Sequence, residues 1–123
     1  MRISRRGFGR LVAEAVAELP QEVHDVLDNV NIMVQDWPSA QQLESGDPDN
    51  AYSLLGLYEG IPQTHRGHYN FALPDRITLF RRPLAEVCTS AEDLQEEVRT
   101  TIVHEIAHHL GWTDEDLVRL GYA

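Results

Sequence analysis

The sequence predicts a single α+β domain, residues 1–123, in which a small twisted mixed sheet of three or four strands packs on helices, one of them central and near the C-terminal end. Three observations carry this. Apolar residues recur at helical spacing over residues 8–19 and again over 94–110. Two-residue alternation marks residues 30–35 and 76–81 as strands. A chain of 123 residues, 42% hydrophobic, supplies one core and is too short for a catalytic module plus a second domain of ordinary size.

Phe8, Leu11, Val12, Ala15, Val16 and Leu19 form one stripe with Arg10, Glu14 and Glu18 off it, which describes a helix packed on something larger. Just before it, Ser4-Arg5-Arg6-Gly7-Phe8 superficially resembles a twin-arginine export signal. Such a signal needs an uncharged apolar stretch, and Glu14 and Glu18 interrupt the candidate, so an ordinary helix is expected. Pro20 interrupts the stripe and opens a second short helix with Val23, Val26 and Leu27 on its buried side and His24 at the border. Val30, Ile32 and Val34 then alternate with Asn31, Met33 and Gln35, a strand with one face more buried than the other, and Trp37-Pro38 ends it.

Residues Ser39 to Asn50 are polar and carry the breakers Gly46, Asp47, Pro48 and Asp49, which reads as a surface loop. Tyr52 to Tyr58 has strand composition, and Gly56 within it marks a bulge or a close backbone approach. Gly60-Ile61-Pro62 closes that strand, and a loop follows over Gln63 to Asp75. Arg76 to Arg81 reads as a third strand, with Ile77 and Leu79 facing opposite to Thr78 and Phe80. Pro83 stops it and can open one or two helical turns through Leu84, Ala85, Glu86 and Val87.

Thr89 or Ser90 caps the long helix, with Asp93 in the capping-box position after Ser90. Leu94, Val98, Ile102 and Ile106 form one stripe and Val103, Ala107 and Leu110 another. A helix apolar on two flanks is central. Leu117, Val118 and Leu120 suit a final short helix that covers the core.

The long helix carries His104-Glu105-Ile106-Ala107-His108, an HExxH pattern. Helical geometry sets His104 and His108 about 40° apart on one face, one turn removed, with Glu105 on the adjoining flank. Two imidazoles and a carboxylate around one point suit zinc hydrolysis: the metal takes neutral imidazole nitrogens and keeps a position open for water. The glutamate serves as base toward that water, not as ligand. A third ligand must come from elsewhere. Gly111 can adopt a positive φ, end the helix in a left-handed cap and turn Asp114 back toward the metal. Asp114 also reads as the first acidic residue of a helix capped by Thr113 with Asp116 three residues on. His65, His68 and Tyr69, in the loop after Pro62, are alternative ligands or oxyanion donors. His109 points away from the pair and suits packing or hydrogen bonding.

The stretch HEIAHHLGWTD (residues 104–114) resembles the extended HExxHxxGxxH/D motif of the zincin metallopeptidases, in the form with aspartate last. The whole chain is similar to the small bacterial zincin-like metallopeptidase family, a minimal zincin, through GLYEGIP (56–62) and LPDRITLFRRPL (73–84). That resemblance implies a zincin-like fold, a Zn2+ cofactor held by His104, His108 and Asp114, and Glu105 as the catalytic base. It also implies a peptide or protein substrate that pairs with an edge strand lying above the metal helix. One departure stands out: both methionines, Met1 and Met33, precede the motif, so the methionine turn of metzincins has no counterpart after Asp114.

A formal charge of −10, with ten arginines and no lysine, argues against nucleic acid as a partner and favours a basic peptide or a partner protein. No run approaches the roughly 18 apolar residues of a membrane span. The lone Cys88 has no internal disulfide partner, and the expected location is the cytoplasm. Arg81-Arg82 is too short for a nucleic-acid patch. The expected function is a zinc-dependent metallopeptidase. The alternative is a non-catalytic binding or regulatory protein whose fold zinc stabilises.

Overall fold

The computed structural model describes residues 1–44, 46–47, 49–60 and 74–123. The loop residues His65, Arg66, His68 and Tyr69, and the Ile61-Pro62 stop, lie outside the described residues. Among the described residues the chain forms α1 (Arg5–Ala17), α2 (Gln21–Leu27), β1 (Val30–Gln35), α3 (Ala40–Leu43), β2 (Gly56–Glu59), β3 (Asp75–Phe80), α4 (Arg81–Val87), α5 (Ala91–Leu110) and α6 (Asp114–Leu120). The fold is α+β with a small mixed sheet, as the sequence predicts. No helix among these is long and apolar enough to cross a membrane.

The sheet order is β1-β3-β2. β1 runs parallel to β3, with Ile32 opposite Ile77, and β2 runs antiparallel to it, with Tyr58 opposite Ile77. The third strand of the sequence is therefore central, and the second lies at an edge. The phase of the β2–β3 ladder follows from the bond of Phe80 N–H to the Leu55 carbonyl. Alternate pairs exchange hydrogen bonds, so Leu57 and Glu59 face β3 with their main chain while Gly56 and Tyr58 present N–H and C=O on the side away from β3.

Ile77 and Leu79 point into a core shared with Phe8, Leu11, Val12 and Ala15 of α1 and with Leu94, Val98, Ile102 and Ile106 of α5. Thr78 and Phe80, on the other face of β3, are also buried, so the central strand is covered on both sides. The stripe read from α1 is the buried one, ending with Leu19. α5 touches α1, α4, β3 and the edge strand β2, which makes it the central helix. Its start is the Ser90 cap, whose hydroxyl accepts from Asp93 N–H at 3.1 Å. Its end is Gly111 at φ 72°, after which Trp112 N–H returns to the Ala107 carbonyl at 2.9 Å.

Several local expectations are corrected. The polar segment after Pro38 contains one helical turn, α3, held by a reciprocal Ser39–Gln42 capping box. β2 is shorter and later than Tyr52–Tyr58: Tyr52 lies outside the ladder and meets Trp37 edge to face, ring centroids 5.0 Å apart. β3 ends at Phe80, because Arg81 already opens α4, and Pro83 sits inside the first turn, where a missing N–H costs nothing. Arg81 is turned inward, donating to Asp36 at 2.8 Å and to the Ile3 carbonyl at 2.7 Å. Leu110 and Val118 face outward, 48% and 65% exposed, so neither contributes the core cover expected of it.

Candidate functional site

The site is assembled where the second half of α5 passes beneath the edge strand β2. Three contacts fix their relation, and a fourth ties Tyr58 to the neighbouring strand. An added Cβ on Gly56 would lie 2.7 Å from Thr101 Cγ2, so this glycine marks a close approach of strand to helix and not a bulge. Two residues further along β2, the Tyr58 N–H donates to Glu105 Oε1 at 2.9 Å. The Tyr58 ring stacks on His109, centroids 3.9 Å apart at 14°, so His109 packs helix to strand. The Tyr58 hydroxyl donates to Asp75 Oδ2 at 2.7 Å. Burial pushes that hydroxyl up to about 12, and the Asp75 carboxylate adds to the rise.

His104, Glu105 and His108 line one cleft of about 280 Å³. Its opposite wall is the chain from Ser53 to Gly56, and its floor continues along α5 through Thr101, Thr100 and Glu97. The helix thus brings the HExxH side chains together at one cleft beside β2. His104 is held from behind: its Nε2 lies 2.7 Å from the Tyr122 carbonyl. A carbonyl only accepts, so Nε2 carries a hydrogen and Nδ1 is the ring nitrogen left for another partner.

Asp114 is placed differently. It is exposed and opens α6, whose cap is Thr113 with Asp116 completing a capping box. It does not line the cleft. Among the described residues, no three His, Cys, Asp or Glu side chains are gathered in an arrangement that would hold a metal ion. The donors that do meet fit zinc in kind: two imidazoles one turn apart, with one ring nitrogen tied to a main-chain carbonyl, the tether that metal-binding histidines commonly have.

Four parts of the site were not singled out in the sequence. The Tyr58 N–H and the Tyr122 carbonyl are main-chain groups, about which residue types say nothing. Glu97 and Thr101 had a signal: they fall at positions i and i+4 in the row that continues to Glu105, on the helix face that carries the motif.

A family model described as zincin-like metallopeptidase matches residues 27–122. None of the curated proteins matches the chain. Among solved structures, a conserved hypothetical protein from Thermo thermophilus is similar at 25% identity and a TM-score of 0.55, over 88% of this chain and 94% of that one.

Proposed function

The chain belongs to the zincin-like metallopeptidase family, and from that membership we propose that it is a zinc-dependent metallopeptidase that hydrolyses peptide bonds with Glu105 as the general base. The observation that carries this reading is the shared cleft: His104, Glu105 and His108 open together beside β2, the edge strand among the described residues. His104 and His108 would hold the zinc, and Asp114, just past the Gly111 turn, is the third ligand in this reading. When bound, zinc supplies a Lewis acid that acidifies water and polarises a carbonyl.

The chain's own groups do the rest. Glu105 has one carboxylate oxygen, Oε1, engaged by Tyr58 N–H, which leaves Oε2 as the oxygen that takes a proton from the attacking water. The same carboxyl later delivers that proton to the leaving amine. His104, tethered at Nε2, is fixed in tautomer and orientation. The main-chain groups of Gly56 and the carbonyl of Tyr58, which point away from β3, suit an extended peptide laid beside β2, while the Tyr58 N–H stays with Glu105.

The test is to load the full chain with zinc, measure metal content, and follow cleavage of a mixed peptide library with and without a chelator. Chelator-sensitive cleavage that is lost in Glu105→Gln with zinc retained is the expected result. Zinc that raises the Tm while no peptide is cut would overturn the enzymatic reading in favour of a zinc-stabilised binding protein.

A further inference from the structure

We propose that Glu97 determines specificity in the cleft by receiving the guanidinium or ammonium group of an arginine or lysine of the substrate peptide, an inference that rests on the peptidase reading above. Glu97 lines the same cleft as His104, Glu105 and His108. It is partly buried, and among the described residues it makes no hydrogen bond or ion pair. The other partly buried carboxylates near the sheet are matched: Asp36 accepts from Arg5 and Arg81, and Glu59 accepts from Gln42 and Arg76. The nearest arginine in sequence, Arg99, is turned away to Glu18 at 2.7 Å. A carboxylate that lines a cleft without an ion-pair partner is placed to take an incoming cation.

The register of strand on helix gives this carboxylate a place along the substrate. Tyr58 meets Glu105 and Gly56 meets Thr101, so two strand residues accompany four helix residues in the same direction. These steps match in length, about 6.7 Å along a strand and about 6 Å along a helix. One helical step further back lies Glu97, and it lines the cleft together with Leu54, which precedes β2. Glu97 therefore lies roughly 12 Å along the helix from Glu105, a span that an extended peptide covers in about four residues. A long side chain leaning along the cleft shortens the count, which puts the basic residue two to four positions from the bond that is cut. A net charge of −10 adds a long-range pull on such peptides.

The experiment compares the zinc-loaded full chain with Glu97→Gln and Glu97→Lys on matched peptides that differ only by arginine, glutamine or glutamate at each position around the cleaved bond. The wild type is expected to favour arginine at one of the positions two to four residues away. Glu97→Gln should reduce that kcat/KM ratio by about tenfold or more, and Glu97→Lys should invert it toward glutamate, with zinc content and Tm held in all three. Binding of the same fluorescent peptides to Glu105→Gln, with and without Glu97→Gln, gives a second readout. Cleavage without preference for a basic residue, or a preference that survives Glu97→Gln, would sink the subsite and leave the peptidase reading standing. Peptide binding that weakens tenfold in Glu97→Gln, in a protein that cuts nothing, would keep the subsite and sink the peptidase reading. Binding indifferent to Glu97 overturns the proposal outright.

Discussion

Gly56 of β2 and Thr101 of α5 stand so close that a methyl carbon on Gly56 would lie 2.7 Å from Thr101 Cγ2 and 3.2 Å from the Thr78 carbonyl oxygen. Thr101 is buried and its branched side chain is stiff, so it cannot swing aside. Gly56→Ala is therefore expected to destabilise the fold by about 1–3 kcal/mol and to push β2 away from the helix that carries the site. Adding Thr101→Ser, which removes the offending methyl, should return part of the loss. Urea denaturation of the two single variants and the double variant measures this; an unchanged midpoint in Gly56→Ala would remove the close approach as a constraint.

Metal binding and turnover are expected to separate by residue. Glu105→Gln should keep zinc while losing roughly 10²–10⁴-fold in rate. His104→Ala should lose both. Asp114→Ala should release zinc more readily than the wild type on dialysis, as measured by metal analysis. Full zinc retention in Asp114→Ala would remove this residue from the ligand set.

Tyr58 governs the alkaline limb of stability. Its hydroxyl is raised from 10.0 to about 12 in the folded protein, first by burial and then by Asp75, so the folded state holds the proton longer than the unfolded chain. The stabilisation is complete below about pH 10 and is lost as pH rises through about 12. The absence of lysine leaves few other groups to titrate there. Melting temperatures from pH 9 to 12 should fall less steeply in Tyr58→Phe; an identical slope would refute the link.

Asp36 acts at the opposite end. Arg81 and then Arg5, through hydrogen bonds, hold its carboxyl well below the ordinary 3.8. The unfolded chain takes up the proton first, so this contribution is present above about pH 4 and drains away as pH falls through the folded value. Asp36→Asn should be less stable near neutrality and show a flatter dependence on pH below 4, checked by denaturation at pH 2.5 to 7. An acid limb as steep as the wild type's would count against it.

Much of this architecture was legible because it depends on side-chain type and spacing. Ser90 with Asp93 set the start of α5, Gly111 its end, and the Leu94–Val98–Ile102–Ile106 stripe its buried face. What escaped depends on competition between weak signals or on main-chain groups. The Ser39–Gln42 box was present in the sequence but lay in a run dominated by loop formers. Tyr52 has high strand propensity, yet its ring finds Trp37 instead of a ladder. The motif was plain in the sequence, whereas the strand N–H that touches Glu105 depends on which edge the topology leaves open.

The bond from Tyr58 to Glu105 has one more effect. A border strand with an idle amide invites stray chains to stitch onto it, and here the carboxylate occupies that amide while the protein rests. The residue assigned to chemistry thus also withholds that amide from a foreign strand.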